Sequence, residues 1–265
     1  MSGRYFAPYG KAPVHYPIDD PARTGVTPDQ TELLIVEGDS AAKSVNQVRD
    51  PTRQSILALQ GKPMNVAKAS RSVALRNEVL IRFASTLLDQ KHSPSQDWIE
   101  ALRKADQCRY AKLVVLMDPD ADGIHCGVLV LGFLLRFAPQ LFKERRVCVV
   151  RPPMFLFRIR GTTPGQTGVQ TRTLVASNPD HARRMEAKLT EAGMFDYERF
   201  RHRGLGSIPP DVLRTCCVDP STRAADEMSH EEVPAACTSE RRRYRTRAQP
   251  IGIRFDDRTN TRRRR

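Results

Sequence analysis

Short runs of consecutive apolar residues, without alternation, are the clearest pattern in the chain. Residues 33–36 (LLIV), 113–117 (LVVLM) and 147–150 (VCVV) form three such runs. A run of this kind is typical of a strand that is buried on both faces of a sheet. Residues 124–137 are long and apolar enough for a helix between the second and third runs. The succession predicts an α/β fold in which helices flank a parallel, Rossmann-like sheet.

The second half of the chain has less pronounced patterns of secondary structure. Residues 155–160 and 171–176 have the pattern of two hairpin arms around a polar loop. Asn178-Pro179 marks the start of a helix that should end near Gly193, because Asn favours the cap, Pro the first turn and Gly the end. Helical spacing also occurs at residues 71–90, 95–107 and 209–217.

Composition divides the chain into four predicted parts. Residues 1–30 are rich in proline and lack apolar periodicity, so we expect a loose N-terminal leader. The α/β domain follows at residues 31–152, and a hairpin with a basic, glycine-containing loop (199–206) forms an extension at residues 153–223. Residues 224–265 are polar and then rich in arginine, so we expect a disordered tail.

The net charge of the chain is +13, and it is unevenly distributed. Residues 240–265 contain eleven arginines and three acidic residues, which leaves a net charge of only +5 for the rest of the chain. A basic excess suggests a polyanionic partner. The tail has the composition of a phosphate-binding arm, although a disordered extension without a role has the same composition.

Several classes of protein are excluded by composition. A hydrophobic fraction of 40% and a charged fraction of 28% fit a globular protein and not a disordered or membrane one. The longest strongly apolar stretch, residues 127–135, is too short to span a bilayer, and the N-terminus lacks a secretion signal, so we expect a cytoplasmic location. The six cysteines form no C-x-x-C pair, which predicts neither a disulfide framework nor a zinc site.

Carboxylates directly follow the first two predicted strands. Glu37 follows one, and Asp118, Asp120 and Asp122 follow the other at alternate positions. Functional groups collect at the carboxyl ends of parallel strands, and alternate residues of an extended loop point the same way. Asp118 and Asp120 could therefore share one hard cation such as Mg²⁺, which would also relieve the repulsion within the cluster. A solvated acidic turn is the alternative.

A calcium-binding loop is excluded by the residue at its last ligand position. The D-x-D-x-D-G pattern that begins at Asp118 needs a glutamate at the twelfth residue, and Leu129 occupies that place.

Five ordered segments resemble the TOPRIM region of bacterial type IIA DNA topoisomerases, in the family of the gyrase and topoisomerase IV B subunits. They are IVEGDSA (35–41), LALQGKPMNVAKA (57–69), MDPDADGIH (117–125), RPPMF (151–155) and RHRGLG (201–206). CVDPSTR (217–223) is similar to the segment that follows the family's glycine-rich loop, so the resemblance covers about three-quarters of the chain. It identifies residues 31–152 as the TOPRIM domain and residues 153–223 as an extension of the B-subunit type.

The resemblance implies an active site that cleaves and rejoins double-stranded DNA with Mg²⁺, or with Mn²⁺ in its place. An A-type topoisomerase subunit would provide the nucleophilic tyrosine, and the protein would associate with the nucleoid. By the same resemblance, Glu37 is the general acid/base and a metal ligand, Asp118 and Asp120 hold the metal, and Asp122 is a further or alternative ligand. Contacts to DNA are implied for Lys62, His125, Arg203, Gly204 and Gly206.

The chain departs from the family pattern at four positions. Asn46 stands where the family has a lysine, Gly127 where it has an arginine and Ser207 where it has a glutamate, while Arg203 replaces a lysine. The predicted metal ligands are retained, and the changes fall in the predicted surroundings of the DNA.

No ATP site is expected in this chain, because it lacks a glycine-lid pattern and a complete phosphate loop. The family's ATPase and transducer domains have no counterpart in its motifs, so a separate ATPase chain would have to supply ATP hydrolysis. Three hypotheses follow. The chain is a topoisomerase subunit or fragment, a non-catalytic DNA-binding or regulatory TOPRIM module, or a stand-alone TOPRIM nuclease.

Overall fold

A mainly parallel sheet is the centre of the fold. The computed structural model describes residues 11–19, 25–88, 98–161, 170–233 and 252–253, and within these ranges this sheet has six strands in the order β1-β3-β2-β4-β5-β9. The strands are β1 (Lys11–Tyr16), β2 (Glu32–Glu37), β3 (Gln54–Gln60), β4 (Lys112–Leu116), β5 (Val147–Val150) and β9 (Ala225–Glu227). Neighbouring pairs from β3 to β5 are parallel, whereas β1 and β9 are antiparallel to their neighbours. The predicted α/β fold with a parallel sheet is confirmed.

The central strands bury both faces, as their uninterrupted apolar runs predict. Leu33 and Ile35 of β2 face one hydrophobic cluster and Leu34 and Val36 face another, and all four side chains are fully buried. The helices that cover the sheet are α1 (Gly38–Val48), α2 (Arg71–Leu75), α3 (Glu78–Leu87), α4 (Trp98–Leu102), α5 (Ala121–Phe137), α6 (Gln140–Lys143) and α8 (Pro210–Leu213). Short 3₁₀ turns lie at Pro28–Gln30, Ala105–Gln107 and Leu205–Ser207, and a π-helical turn at Arg214–Val218.

A second sheet is antiparallel. Its described strands are β6 (Phe155–Gly161), β7 (Gln170–Ala176), β8 (Tyr197–Arg201) and β10 (Gly252–Ile253), in the order β10-β7-β6-β8. Helix α7 (Pro179–Glu191) covers one face with its apolar side chains. The predicted hairpin and the predicted helix are confirmed, since β6 pairs with β7 and the Asn178 side chain accepts a hydrogen bond of 2.8 Å from the backbone N–H of His181.

The expectation of a loose leader is wrong for residues 11–16, which form β1. Pro13 is typical of a loop, but proline is tolerated in an edge strand, where no adjacent strand requires a hydrogen bond from its missing N–H. The strand is also held from the side, since Nε2 of His15 lies 3.1 Å from the Tyr110 hydroxyl.

The expectation of a disordered tail from residue 224 is wrong for the part that the structure describes. Residues 225–227 form β9, whose Asp226 and Glu227 make ion pairs of 2.7 Å with Arg151 and Lys112. Val233 is fully buried in the main core. Because charged pairs hold this strand, it has no apolar pattern to reveal it. Apart from Gly252–Ile253, the arginine-rich segment 240–265 lies outside the described residues.

Smaller differences concern the lengths of elements. The helical spacing at residues 71–90 is divided between α2 and α3, because the Asn77 side chain caps α3 by accepting from the N–H of Leu80. The predicted helix at residues 95–107 is reduced to α4 and a 3₁₀ turn, and residues 89–97 lie outside the described ranges. The predicted basic loop loses residues 199–201 to β8.

The described cysteines and helices have two further properties. The five described cysteines are free and buried. None of the described helices has both the length and the apolar character needed to cross a bilayer.

Candidate metal centre

Two neighbouring strand ends place acidic side chains at one edge of the main sheet. β2 ends at Glu37 and β4 ends at Leu116, just before Asp118, and the two strands pair in parallel. Each strand leads into a helix, α1 after Glu37 and α5 after Asp120. Gly38 makes the first of these tight turns with a φ of 79°, which favours glycine. The parallel order of β2 and β4 therefore brings the two acidic segments together.

The pKa of Glu37 reports the concentration of negative charge at this edge. Burial raises the pKa of its carboxyl group, and the charges of Asp118, Asp120 and Asp122 raise it further, while Lys62 acts in the opposite direction. The charges of the three aspartates thus act on Glu37. The structure places the acidic segments after β2 and β4 at one edge of the sheet, as the sequence predicts.

Asp118 is held by the backbone of the glycine-containing loop. Its Oδ1 accepts a hydrogen bond of 2.8 Å from the N–H of Leu205. Burial raises the pKa of Asp118 and the charge of Asp120 raises it too, whereas the hydrogen bond from Leu205 lowers it. A Cβ atom at Gly204 would lie 2.7 Å from Oδ2 of Asp118, so the absence of a side chain there keeps the space beside this oxygen open.

Asp120 caps the helix that follows it. Its Oδ1 accepts a hydrogen bond of 2.8 Å from the N–H of Gly123, in the first turn of α5. This contact explains why α5 begins at Ala121, three residues before the predicted start, and it leaves Asp120 with a second carboxylate oxygen.

Lys62 and Asp122 form an ion pair at the outer side of the cluster. Nζ of Lys62 donates to Oδ1 of Asp122 at 2.7 Å, and the side chains are 40% and 76% exposed. The hydrogen bond raises the pKa of Lys62 and lowers that of Asp122. Lys62, predicted from the resemblance to contact DNA, thus lies beside the acidic cluster and offsets part of its charge.

The remaining predicted DNA contacts lie around the same edge. His125 is exposed on α5, where its charge contributes to the lowered pKa of Asp122, and Arg203 is exposed in the loop. A Cβ atom at Gly206 would lie 2.7 Å from Oγ of Ser40. Both loop glycines therefore allow a close approach to residues of this same chain, and the predicted approach to a duplex stays a prediction.

The positions that depart from the family pattern have local roles. Oδ1 of Asn46 accepts a hydrogen bond of 2.8 Å from Nε of Arg49. Gly127 is buried, and a Cβ atom there would lie 3.4 Å from Cγ of Met117. The Ser207 hydroxyl donates to the Gly204 carbonyl oxygen at 2.7 Å and so closes the glycine-containing loop.

The carboxylates fit a hard divalent cation with few protein ligands. Within the described ranges, no group of three or more His, Cys, Asp or Glu side chains is arranged so that it could hold a metal ion. Mg²⁺ commonly uses one or two carboxylates and keeps several waters, so a full cage is not required. Glu37, Asp118 and Asp120 have the hard oxygens that such an ion prefers, and a cation would relieve the repulsion that raises the pKa of Glu37.

Sequence reasoning missed three contributors to this site. Leu205 acts through its backbone N–H, Ser40 lies where a side chain at Gly206 would be, and His202 donates its backbone N–H to the Met154 carbonyl oxygen at the start of the loop. His202 is buried, and burial lowers its pKa. The RHRGLG motif contains two of these residues, but it carries no sign that the loop packs against Asp118.

Comparisons with known proteins identify the family of the domain that contains this edge. Residues 32–152 match the family described as the Toprim domain. The chain is 33% identical over 196 residues to the B subunit of DNA gyrase from Thermus thermophilus, a match that covers 74% of this chain and 28% of that protein. It is 30% identical over 204 residues to the B subunit of DNA topoisomerase 4 from Haemophilus influenzae, with 77% of this chain and 29% of that protein covered. The chain therefore spans less than a third of the length of these relatives.

Proposed function

Residues 32–152 of this chain form a Toprim domain related to that of gyrase and topoisomerase IV B subunits, and on this premise we propose that the chain supplies the cation-binding carboxylates of a type IIA DNA topoisomerase. The observation that carries the proposal is the environment of Glu37. Its pKa is raised by burial and by three aspartates at the same sheet edge, beside a basic loop.

Each residue of the cluster has a distinct proposed role. Glu37, beside the three aspartates, is the proposed general acid/base that gives a proton to the departing 3′-oxygen of DNA and takes it back on religation. Asp118 and Asp120 present oxygens to Mg²⁺ or Mn²⁺, with Asp122 as a further or alternative ligand. The bound cation would stabilise negative charge on the phosphate and on the departing oxygen.

The DNA and the partner subunits complete the proposal. Lys62 pairs with Asp122, His125 lies in the first turns of α5 and Arg203 precedes Gly204, and these three side chains would contact the phosphates of a double-stranded substrate. The relatives are named as B subunits of DNA gyrase and of topoisomerase 4, which supports an A-type subunit as the source of the tyrosine. ATP hydrolysis, where the assembly uses it, is assigned to a separate ATPase chain.

A cleavage assay tests the proposal. The full chain is mixed with supercoiled plasmid, Mg²⁺ and A-type subunits of gyrase or topoisomerase IV, and protein-linked breaks are trapped with detergent. We expect linear DNA from the wild type and none from Glu37→Gln. Asp39→Asn is the matched control, because Asp39 is an exposed carboxylate two residues away whose Oδ1 accepts from Gln60. Intact DNA with every A-type partner would contradict the proposal, and nicking by the chain alone would favour a nuclease.

A non-catalytic DNA-binding module is the second candidate. The ion pair between Lys62 and Asp122 favours it. This contact occupies the Asp122 carboxylate, a proposed metal ligand, and the Lys62 ammonium group, a proposed DNA contact. This function predicts DNA binding that weakens steeply with salt and does not change in Asp118→Asn.

A further inference from the structure

The loop at residues 202–207 is packed against the acidic cluster rather than extended away from it. Leu205 donates its N–H to Oδ1 of Asp118, and Gly204 lies beside Oδ2 of the same carboxylate. We propose that this loop positions Asp118 for a divalent cation, with Leu205 fixing one carboxylate oxygen and Gly204 leaving the other accessible. The inference rests on the proposed cation-binding function of the cluster and adds two positioning residues to it.

The steric role of Gly204 follows from two measurements. A Cβ atom at this position would lie 2.7 Å from Oδ2 and 3.1 Å from Cγ of Asp118. The φ angle of Gly204 is −155°, which is extended backbone that any residue adopts. An alanine would therefore cause no strain in the loop backbone itself, and the whole conflict would fall on the contact between its methyl group and the carboxylate.

The buried Leu205 side chain and one backbone hydrogen bond hold the loop against the rest of the chain, and a further bond holds its own turn. The Leu205 side chain is fully buried in the cluster that contains Leu34 and Val36 of β2. At the start of the loop, the N–H of His202 donates to the Met154 carbonyl oxygen at 2.8 Å. At its end, the N–H of Ser207 donates to the Gly204 carbonyl oxygen at 3.0 Å. The Asp118 side chain is consequently the part that must shift when Gly204 carries a methyl group.

Displacement of Asp118 should weaken cation binding. Residues that orient a metal ligand typically contribute a factor of about 10 to 100 to metal affinity. We therefore expect Gly204→Ala to bind Mn²⁺ at least about tenfold more weakly than the wild type. Gly132→Ala provides a matched comparison, since it adds the same methyl group in α5 at a position where nothing lies within 4 Å of the new Cβ atom.

Titration of the full chain with Mn²⁺, followed by the electron paramagnetic resonance signal of the free ion, tests the inference. Weaker binding in Gly204→Ala, with wild-type affinity in Gly132→Ala, supports it. Equal affinity in the wild type and Gly204→Ala overturns it while the proposed function stands. A wild type that binds no Mn²⁺ overturns the proposed function, and the inference with it.

If Gly204→Ala does not fold, a measurement on the wild type tests whether the loop contacts the cation-binding carboxylate. The amide resonance of Leu205 is followed while Mg²⁺ is added, with the amide of Gly132, far along α5, as the reference. We expect the Leu205 signal to shift until the site is saturated, because its N–H shares the Asp118 carboxylate with the ion. A Leu205 signal that does not move during saturable Mg²⁺ binding contradicts the inference.

Discussion

The N–H of Leu205 donates a hydrogen bond of 2.8 Å to the carboxylate of Asp118, although the two residues are 87 positions apart in the sequence. This bond joins the extension that follows residue 152 to the acidic edge of the Toprim domain. A site assembled in this way depends on both parts of the chain. Substitutions in the loop should therefore change the affinity of the carboxylates for a divalent cation.

Replacing Glu37 by glutamine should stabilise the fold when no divalent cation is present. Burial and three aspartates raise the pKa of Glu37, so its ionised form is unfavourable in the native state and costs stability as pH rises through the native pKa. We expect a gain of less than about 1 kcal/mol at neutral pH, because solvent screens a partly exposed group. The gain should vanish below the unfolded value of 4.5. Thermal unfolding between pH 4 and 8 measures it, and a destabilised variant at pH 7 would contradict it.

Protonation of His15 should destabilise the protein in mild acid. Burial lowers the pKa of His15 to about 4, with contributions from Arg109 and Arg49. Because the native value lies below the unfolded value of 6.5, the stabilising contribution is complete above pH 6.5 and is lost as pH falls towards 4. Urea unfolding of His15→Gln should depend less on pH in this window than that of the wild type. His230→Gln, at an exposed histidine, should behave like the wild type.

Breaking the buried ion pair between Arg223 and Glu32 should strongly destabilise the fold. Nη1 of Arg223 donates to Oε2 of Glu32 at 2.8 Å, and the side chains are only 6% and 11% exposed. Arg223→Ala leaves the buried Glu32 carboxylate without its cationic partner, although Gln54 still donates to its Oε2, and loss of one member of a buried ion pair typically costs about 3–5 kcal/mol. Lys112→Ala, which removes an exposed pair with Glu227, should cost less than about 1 kcal/mol. Equal free energies of unfolding for the two variants would contradict a larger contribution of the buried ion pair to stability.

Removing the end of the arginine-rich tail should weaken DNA binding equally for all DNA sequences. Truncation after Ile253 deletes six arginines and two aspartates and keeps β10. Each phosphate contact contributes about 0.9 to the slope of log affinity against log salt, so the slope should become shallower by up to about 5. Filter binding or fluorescence anisotropy across a range of salt concentrations measures the slope. An unchanged slope would mean that these arginines do not bind phosphates.

Most of the strands with a continuous apolar pattern could be predicted from the sequence. β2, β4, β5 and α5 are buried elements, and their apolar residues indicate this directly. β3 is an exception, because its buried residues 56–59 form a similar apolar run that was not interpreted as a strand. β9 could not be predicted, because ion pairs and not apolar side chains hold it in place. Strands of this kind are defined by their neighbours in space, which no local pattern records.

The candidate site also has parts that could be predicted from the sequence and parts that could not. The positions of Glu37, Asp118 and Asp120 after parallel strands predicted that their side chains would gather at one sheet edge. The contacts of Lys62 with Asp122 and of Leu205 with Asp118 could not be predicted, because they join segments 60 and 87 residues apart. One depends on a long flexible side chain and the other on a backbone amide that any residue type except proline would provide.

The most direct test of the proposed cation site is to locate a bound Mn²⁺ ion by its broadening of amide resonances in the full chain. We predict that low concentrations of Mn²⁺ selectively broaden the amides of Gly38, Gly123 and Leu205. The same amides should stay sharp in a variant that combines Asp118→Asn with Asp120→Asn. Broadening that is centred elsewhere, or that persists in this variant, would contradict the assignment of the cation to the carboxylates at this sheet edge.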